Sequence, residues 1–388
     1  IPFIKSMNPL IKDGTAHIVW GKKVEKPSIG FCIRMIIWTC LISLILWFCT
    51  KNRDIAQHKL YLEIILSPLL FPLMFILFSW IPLIRRFLRR IELKMNVLVL
   101  STIPTRFMSR LVGKLMSCAM PRWLLRLIIN FWVKTFGVKL DEMLASSIDE
   151  FSTVNEFFTR PLRPGVRTIG KSPIVAPADS RFVCGGQISE LGKIPCVKGL
   201  DFTVEDILSC SPELKHSEFV PTSSELPTLS SNPNLYFCVM YLSPGDYHRY
   251  HTPCEFNIKK RIHSPGRLVC VNEPFMRYYR GTLAVNERLC LHGTWKGGFM
   301  GYIAVGALNV GSMSFTVEPS FISNSSGSEK MSVKEFSDPV RLGKGEEVGM
   351  FNLGSTIVLV FESKKHVEFL PKPGDKLNVG QDIVFIRK

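Results

Sequence analysis

The part of the chain beyond about residue 137 carries the pattern that most limits its fold. Short runs rich in β-branched and aromatic residues alternate there with turns that contain glycine and proline. These runs cover residues 174–183, 235–242, 267–271, 301–308, 312–317 and 355–361. Many short strands separated by turn residues indicate a compact, mostly-β domain. One helix is expected among them, from Ser152 to Thr159, with Ser152 as its N-cap. We therefore predict an α+β fold with a mostly-β core that is barrel-like or sandwich-like.

Two uncharged apolar segments dominate the N-terminal region, at residues 35–50 and 64–84. A membrane-spanning helix needs about 20 apolar residues, so the first segment is marginal and the second is long enough. The second segment contains Pro68, Pro72 and Pro82, which also suit a kinked or interfacial segment. We expect one segment to cross a membrane as a transmembrane helix and the other to lie in the interface. Two buried helices of a soluble core are the alternative, which the length and lack of charge of both segments oppose.

The formal net charge of +16 indicates an anionic partner. Basic residues lie beside apolar ones, as in the run Arg85-Arg86-Phe87-Leu88-Arg89-Arg90. Within the segment 121–136, a polar residue recurs at every fourth position, namely Arg122, Arg126, Asn130 and Lys134. This pattern fits a helix in a membrane interface and a core helix with one solvated face equally well. Because no recognised nucleic-acid motif occurs, anionic lipid is favoured over nucleic acid as the partner.

The cysteines and histidines form no recognisable metal site. The 11 cysteines are odd in number and include no Cys-x-x-Cys pair, so neither a disulfide framework nor a structural zinc site is expected. His248 and His251 lie three residues apart, which would place both imidazoles on one side of a helical turn. From this spacing they could be metal ligands, a base with a helper, or surface residues. A third ligand would be needed, and neither His263 nor His292 has a recognisable ligand spacing, so no metal is predicted.

Three short segments carry groups that could act together in catalysis. Asp179 ends an apolar run just after a proline turn, and the two histidines follow a strong predicted strand. Ser355 opens the apolar run that continues to Phe361, and Gly354 directly precedes it. Taken singly, Asp179 is typical of a turn, and so is a Gly-Ser pair. In this order, however, an Asp, a His and a Ser can form a relay, in which the carboxylate orients the imidazole and the imidazole takes the hydroxyl proton.

Ser355 lacks the surroundings of an ordinary hydrolase nucleophile. Such a serine lies in a Gly-x-Ser-x-Gly turn, whereas Ser355 follows a glycine directly and faces its own preceding peptide bond. Glycine leaves that carbonyl unobstructed and tolerates strained backbone angles. This arrangement suits a protein that cuts itself and makes a cofactor from the new end. A membrane-associated Ser-His-Asp lipid hydrolase and a non-enzymatic, inactive membrane-anchored protein are the alternatives.

Together, these segments resemble the phosphatidylserine decarboxylases, specifically their membrane-bound mitochondrial and bacterial type. Further segments that look like the family lie at residues 135–138, 155–160, 295–299 and 304–312, and the likeness covers about residues 100–388. Several separate motifs in the right order are more specific than any one of them. One departure is Ser180, because the family usually has glycine after the aspartate. If the backbone there needs a positive φ, serine costs about 1 kcal/mol, and we expect a small geometric adjustment.

The resemblance implies pyruvoyl-dependent decarboxylation of phosphatidylserine to phosphatidylethanolamine and CO2. Asp179, His251 and Ser355 match the family's relay for self-cleavage, in which Ser355 attacks the carbonyl of Gly354. The products are a β chain, residues 1–354, and an α chain, residues 355–388, with a covalent pyruvoyl cofactor derived from Ser355. The pyruvoyl carbonyl forms a Schiff base with the lipid amine and withdraws electrons from the bond that loses CO2. His248 matches a second, auxiliary histidine that assists decarboxylation or protonation.

The chain is expected to divide into three regions. Residues 1–28 form an N-terminal segment on the matrix side, residues 29–90 a hydrophobic membrane region with one or two spans, and residues 91–388 the decarboxylase domain. Lysines before the first apolar segment favour a matrix-facing N-terminus, so one crossing of the mitochondrial inner membrane places the catalytic domain in the intermembrane space. The expected partners are phosphatidylserine, anionic membrane lipid, the two chains of one precursor and a second copy in a homodimer. The sequence begins with Ile1 and not with Met, so we expect a fragment that a targeting peptide could precede.

Overall fold

The computed structural model describes residues 104–188, 193–195, 201–208, 234–271, 281–308, 312–325, 330–352 and 354–387. Within these ranges, no helix is both long and apolar enough to cross a membrane. The apolar segments 35–50 and 64–84, on which the expectation of a transmembrane helix rests, lie outside the described ranges, and so do the predicted regions 1–28 and 29–90.

Two longer helices lie at the start of the described part, and three short ones follow. They are α1 (Thr105–Met116), α2 (Arg122–Phe136), α3 (Val154–Phe158), α4 (Val204–Leu208) and α5 (Thr282–Val285). The helix expected between residues 121 and 136 is confirmed as α2. It begins directly after Pro121, whose fixed φ suits a helix start. It ends at Gly137, which adopts the left-handed conformation (φ 66°) and donates its N–H to the carbonyl of Val133 at 2.9 Å.

One face of α2 packs against α3. Leu125 and Ile129 of α2 are buried and form a small apolar cluster with Val154 and Phe157 of α3. The indole N–H of Trp132 donates to the carbonyl of Pro244 at 3.0 Å. These contacts attach α2 to the β core. Because only Leu125 and Ile129 of α2 are buried, the side of the helix that faces the core is a narrow apolar stripe.

The N-cap of α3 is Thr153, and the prediction of Ser152 was wrong by one residue. The Thr153 hydroxyl accepts the N–H of Glu156 at 3.1 Å, and the Glu156 carboxylate accepts the N–H of Ser152 at 2.7 Å. With Thr153 as the cap, Glu156 occupies the third helical position, where a carboxylate reaches unpaired N–H groups of the first turn. With Ser152 as the cap, Asn155 would occupy that position, so the register with Thr153 satisfies more backbone groups.

The β structure comprises one large sheet, one smaller sheet and two short pairs. The described strands are β1 (Ser180–Gln187), β2 (Lys193–Pro195), β3 (Asp201–Thr203), β4 (Leu235–Leu242), β5 (Arg249–His251), β6 (Phe256–Ser264), β7 (Arg288–Trp295), β8 (Gly298–Gly306), β9 (Ser312–Phe315), β10 (Glu318–Ile322), β11 (Ser332–Leu342), β12 (Glu347–Asn352), β13 (Ser355–Glu362), β14 (Val367–Phe369), β15 (Lys376–Leu377) and β16 (Val384–Ile386).

The large sheet has eight strands in the order β11-β6-β7-β8-β13-β4-β1-β15. Strand β13 is an interior strand that pairs antiparallel with β4 on one side and with β8 on the other. All residues from Ser355 to Phe361 are buried, which the β-branched and apolar run had led us to expect. The strand predicted at residues 355–361 is therefore confirmed.

A four-stranded sheet, in the order β10-β9-β12-β5, shares one apolar core with the large sheet. Tyr250 of β5, Phe315 of β9 and Phe351 of β12 belong to the same buried cluster as Ile357 and Leu359 of β13. The mostly-β core of an α+β fold is confirmed. The larger sheet ends in two edge strands, β11 and β15, so strand pairing within the described ranges does not close it into a barrel.

Two predicted strands are irregular over part or all of their length, although most of their apolar residues are buried. Within residues 267–271, the side chain of Asn286 accepts the N–H of Val269 at 3.1 Å and donates to its carbonyl at 2.9 Å, and this carbonyl also accepts the N–H of Leu308 at 3.2 Å. The backbone of residues 174–176 bonds to residue 253 on one side and to residues 380, 381 and 383 on the other, where Val175 and Asp382 form only an isolated antiparallel bridge. Pro177 has no N–H to donate, and β1 starts only at Ser180. An apolar run predicts burial, whereas a strand also requires a partner in register.

Candidate active site

Ser355 is the first residue of β13, in the middle of the large sheet. Its backbone lies between Leu242 of β4 and Gly306 of β8. Its side chain is 0% exposed, and its hydroxyl has no hydrogen-bond partner among the described residues. An unpaired buried hydroxyl costs about 1–3 kcal/mol, so it marks a position that is kept for a reason other than stability.

The conformation of Gly354 does not explain why glycine precedes Ser355. Its φ lies outside the left-handed region, and a Cβ atom added to it would meet no other atom within 4 Å. The expectation that glycine relieves a strained backbone here was therefore wrong. The other reason for glycine still holds: because Gly354 has no side chain, nothing on this residue blocks the approach to its carbonyl.

Two side chains hold the backbone that leads into the Gly354–Ser355 bond. Asn352, at the end of β12, accepts a hydrogen bond from the side-chain amide of Asn155 at 3.2 Å. Its own amide donates to the hydroxyl of Ser312 at 2.6 Å. Thus α3 and β9 together position the end of β12. Asn352 is not recognisable as a site residue from the sequence, because its contacts come from elements distant in the chain.

His248 is completely buried just before β5. Its Nδ1 lies 2.8 Å from the carbonyl oxygen of Asp246, and since a carbonyl only accepts, Nδ1 carries the proton. The ring packs on Phe158 of α3, with the ring centroids 4.0 Å apart. Burial lowers the pKa of His248 to about 3, and the charge of Arg160 acts in the same direction. His248 is therefore neutral, with a lone pair on Nε2 that has no partner among the described residues.

His251 ends β5, and both of its ring nitrogens are occupied. Nδ1 donates to the carbonyl of Gly345 at 2.9 Å, which leaves the lone pair on Nε2. The Tyr247 hydroxyl, 3.1 Å from Nε2, donates to that lone pair. Burial lowers the pKa of His251 and raises that of Tyr247, so both groups are uncharged at neutral pH.

The two histidines do not lie on a helical turn, so that prediction was wrong. Residues 249–251 form a strand that pairs with β12. The Phe351 N–H donates to the carbonyl of His248 at 3.0 Å and continues this pairing. The two histidines are therefore held by the smaller sheet, and β12 connects that sheet to the chain that enters the Gly354–Ser355 bond in the large sheet.

Asp179 is buried at the end of the irregular run before β1, and its carboxylate accepts three hydrogen bonds. One comes from the N–H of Val379 at 2.8 Å. The other two come from the Arg167 guanidinium, through Nε at 2.9 Å and through Nη2. Nη2 of Arg167 also donates to the Glu142 carboxylate at 2.7 Å. Although burial opposes its charge, these hydrogen bonds raise the pKa of Arg167.

The predicted relay of Asp179, His251 and Ser355 is assembled only in part. The His251 N–H donates to the carbonyl of Pro177 at 2.7 Å, which brings β5 beside the segment that carries Asp179. No hydrogen bond joins the Asp179 carboxylate to the His251 ring in the described part of the chain, since Arg167 and Val379 bind the former and Gly345 and Tyr247 the latter.

Arg160 adds a buried positive charge next to His248. Its guanidinium donates to the carbonyls of Gly245 at 3.1 Å and Phe157 at 3.4 Å, and Nε has no partner in the described structure. Burial lowers its pKa. Arg160 lies in a segment that looks like the family, but nothing in its spacing had indicated a role.

Ser180 is accommodated without a left-handed backbone. Among the described residues other than glycine, only Asn324 has a positive φ. Ser180 opens β1, and its hydroxyl donates to the carbonyl of Ala178 at 3.1 Å. The strain considered for serine after the aspartate does not arise.

His263 and His292, which the sequence offered as further ligand candidates, lie in the large sheet. His263 of β6 pairs with the buried carboxylate of Glu287 at 2.8 Å, and His292 of β7 packs against Phe299. Within the described ranges, no group of three or more His, Cys, Asp or Glu side chains could hold a metal ion.

Comparison with known proteins gives a consistent result. The family model of phosphatidylserine decarboxylase matches residues 154–385, which include Asp179, both site histidines and Ser355. A mitochondrial phosphatidylserine decarboxylase proenzyme of Pongo abelii is 36% identical over 303 residues, covering 74% of this chain and 73% of the relative. Proenzyme 1 of Arabidopsis thaliana is 34% identical over 328 residues, covering 73% of this chain and 72% of the relative. Proenzyme 1 of Saccharomyces cerevisiae is 31% identical over 367 residues, covering 74% and 73%.

Proposed function

Because the chain belongs to the phosphatidylserine decarboxylase family, we propose that it makes its own catalytic group from Ser355 by cleaving the Gly354–Ser355 bond. The chain is a decarboxylase, and its reaction converts phosphatidylserine to phosphatidylethanolamine and CO2. The relatives are named proenzymes, which is in keeping with a processing step. The observation that carries the proposal is the buried, unpaired hydroxyl of Ser355, directly after the Gly354 carbonyl.

Self-cleavage needs only groups of the chain and one water molecule. The Ser355 hydroxyl gives its proton to a base and attacks the Gly354 carbonyl carbon, and the amide becomes an ester as the Ser355 nitrogen leaves and is protonated. Loss of the proton on the Ser355 Cα then expels the Gly354 carboxylate and separates the two chains. Water hydrolyses the residue left at position 355 to a pyruvoyl group, with release of ammonia. The unpaired hydroxyl suits this course, because no hydrogen bond has to break before it attacks.

We assign the first proton transfer to His251. Its lone pair is on Nε2, where the Tyr247 hydroxyl is bound, so Tyr247 must release Nε2 before His251 can act as a base. Asp179 supplies the negative charge that stabilises the resulting imidazolium. The backbone bond from His251 to Pro177 keeps the two groups on adjoining segments and supports this assignment.

We assign His248 to the decarboxylation. The amine of phosphatidylserine is an ammonium ion at neutral pH and must lose a proton before it can react with a carbonyl. His248 is neutral and has an unpaired Nε2 lone pair, which suits it to accept a hydrogen bond from this group and orient the amine; with a pKa of about 3 it is too weak a base to take the proton by itself. Its burial against Phe158 keeps water away from the lone pair.

The pyruvoyl carbonyl supplies an electron sink for the bond that loses CO2. Residue 355 suits such a group, since it is buried at the first position of a rigid interior strand. His248 Nε2 is a buried polar atom without a partner in the described structure, and this side chain would orient substrate and exclude water.

Cleavage at this bond leaves the α chain in place. Strand β13 pairs along its length with β4 and β8, and β15 of the same chain pairs with β1. Dissociation would expose the centre of the core, including Ile357, Leu359 and Phe361. Cleavage of the Gly354–Ser355 bond and dissociation of the α chain are therefore separate events.

The intact mass of the purified protein tests the proposed function. We expect two polypeptides that divide between residues 354 and 355, and a 34-residue α chain whose N-terminal carbonyl reacts with hydroxylamine. The same sample should release CO2 from phosphatidylserine vesicles. A single full-length chain that a serine-directed phosphonate labels would indicate a lipid hydrolase instead. A full-length chain that neither releases CO2 nor takes up the label would indicate an inactive relative.

We propose that α1 and α2 rest on the membrane that contains the substrate. Trp123, Leu127 and Phe131 recur every fourth residue on α2 and are 69%, 62% and 68% exposed. Phe107, Met108, Leu111 and Leu115 of α1 are also exposed. Apolar side chains beside Arg122 and Lys134 suit a helix in the interface of an anionic membrane. The relatives are named mitochondrial, and we propose the inner membrane, with the catalytic domain in the intermembrane space.

Replacing Leu127 and Phe131 together by Glu should weaken binding to anionic vesicles by about 10²-fold or more, because each large apolar side chain contributes roughly 1.5–3 kcal/mol when it leaves water. Vesicle co-sedimentation measures the effect, and intact mass shows whether self-cleavage is retained. Leu370→Glu is the matched control, since Leu370 is 52% exposed outside these helices. Equal binding of the double variant and the control would remove α2 from the membrane contact.

A further inference from the structure

We propose that Arg167 is a positioning residue of the self-cleavage reaction, which it serves by holding the Asp179 carboxylate in one orientation. The proposal rests on the proposed function, because it concerns the same cleavage at Ser355. It assigns a role to a residue that carries no recognisable motif and lies in a turn-rich stretch between α3 and β1.

The first support is the geometry of the ion pair. The side chains of Arg167 and Asp179 are each only 11% exposed. Nε and Nη2 of Arg167 each bind one carboxylate oxygen, and the Val379 N–H adds a third bond at 2.8 Å. A two-point guanidinium–carboxylate pair fixes the plane of the carboxylate as well as its charge, which an ammonium group cannot do.

The second support is the anchoring of Arg167. Its Nη2 donates to Glu142 at 2.7 Å, and Nη1 lies 3.4 Å from the carbonyl of Val166. Glu142 is bound in turn by Lys139 at 3.0 Å. The guanidinium is thus held between two carboxylates, one from the 3-10 turn Leu140–Glu142 and one from the relay. Because these contacts hold the Arg167 guanidinium in place, it cannot move together with the Asp179 carboxylate. The ion pair therefore restrains the position of that carboxylate.

The third support is the hydrogen-bonding capacity of the carboxylate. A carboxylate has about four lone-pair positions, and Asp179 uses three of them on Arg167 and Val379. One position remains for an imidazolium. Arg167 therefore limits how Asp179 can turn, so that its carboxylate keeps one placement relative to the His251 imidazolium.

The variants Arg167→Ala, Arg167→Lys and Glu142→Gln separate this role from a structural one. Self-cleavage of the full chain is followed by mass after synthesis, with the wild type alongside. Arg167→Ala should cleave about 10²-fold more slowly, since an Asp179 carboxylate that is free to turn no longer keeps the geometry that the proton transfer needs. Arg167→Lys keeps the charge without the two-point geometry and should fall in between, and Glu142→Gln should be affected least. The matched control is Arg261→Ala, which breaks a similarly buried pair with Glu318 (Nε to Oε2, 3.0 Å) on β6 and should cleave at the wild-type rate.

Chemical rescue decides whether charge at this position is what matters. Millimolar guanidinium should restore cleavage of Arg167→Ala at least several-fold and leave Arg261→Ala and the wild type unchanged, which a general loss of packing would not allow. Arg167→Lys cleaving at the wild-type rate, or Arg167→Ala slowed with no response to guanidinium, would overturn the proposal. If the wild type itself stays uncleaved, the proposed function fails and not merely this inference.

Discussion

Ser355→Ala should remain a single polypeptide of 388 residues and release no CO2 from phosphatidylserine. Alanine has no hydroxyl to attack the Gly354 carbonyl, so the ester cannot form and position 355 stays an ordinary residue. The fold should persist, because the Ser355 hydroxyl makes no hydrogen bond in the described structure and its loss leaves no group unpaired. Intact mass reports the cleavage, and thermal unfolding reports the fold.

Thr356→Ala is the matched control for Ser355→Ala. Thr356 is the next residue of β13, is equally buried, and also has a hydroxyl without a partner among the described residues. Its variant should be cleaved. Cleavage of Ser355→Ala, or an intact chain for Thr356→Ala, would show that the wrong hydroxyl has been assigned.

His251→Ala should also stay uncleaved, because the Ser355 hydroxyl then has no base. His248→Ala is its matched control, since it removes the neighbouring imidazole. We expect His248→Ala to be cleaved into two chains and then to decarboxylate about 10²-fold more slowly, because the reacting amine loses the hydrogen bond that orients it. Mass analysis gives the first result, and CO2 release from carboxyl-labelled phosphatidylserine gives the second.

The pH dependence of the two reactions separates the histidines further. Burial holds the pKa of His248 at about 3, so His248 stays neutral throughout the range from pH 5 to 8 and should contribute no ionisation to decarboxylation there. An acid limb in this range that disappears in the cleaved His248→Ala enzyme would contradict the assignment of a neutral imidazole. Normal turnover of His248→Ala would remove it from the site altogether.

The local sequence pattern was sufficient to predict strands that are buried on both faces in the core. The run from Ile357 to Phe361 is apolar throughout, and a strand of that composition must be covered on both faces. Strand β13 meets this requirement as an interior strand between β4 and β8. Residues 235–242 were predicted for the same reason and form β4. At residues 267–271 this reasoning failed, because the segment bonds to the Asn286 side chain and to backbone groups of residues 285, 287 and 308, and not to one strand in register.

The candidate site shows the same limit. Residue order and family likeness were sufficient to single out Asp179, His248, His251 and Ser355. They did not reveal Arg167 or Asn352, whose importance comes from contacts with Asp179 and with Asn155 of α3. The spacing of the two histidines suggested a helical turn, although pairing with β12 makes residues 249–251 a strand.

For α2, sequence periodicity left a membrane-interface helix and a core helix equally favoured. The folded chain buries only Leu125 and Ile129 and leaves Trp123, Leu127 and Phe131 in solvent, so the helix has more apolar surface than the core can cover. Which apolar face meets the core depends on where α3 packs, and that is not encoded in the period of the helix.

The order of the reactive segments, the interior strand that begins at Ser355 and the family of the chain all follow from the amino-acid sequence, because hydrophobic pattern and short motifs are local properties. The bonding state of each reactive group depends instead on tertiary contacts. Asp179 is held by Arg167, the His251 lone pair by Tyr247, and the Ser355 hydroxyl by nothing in the described structure. A hydrogen bond is made or left unmade by distances of a few tenths of an ångström between segments far apart in the chain, and those distances exist only once the two sheets have packed around their common core.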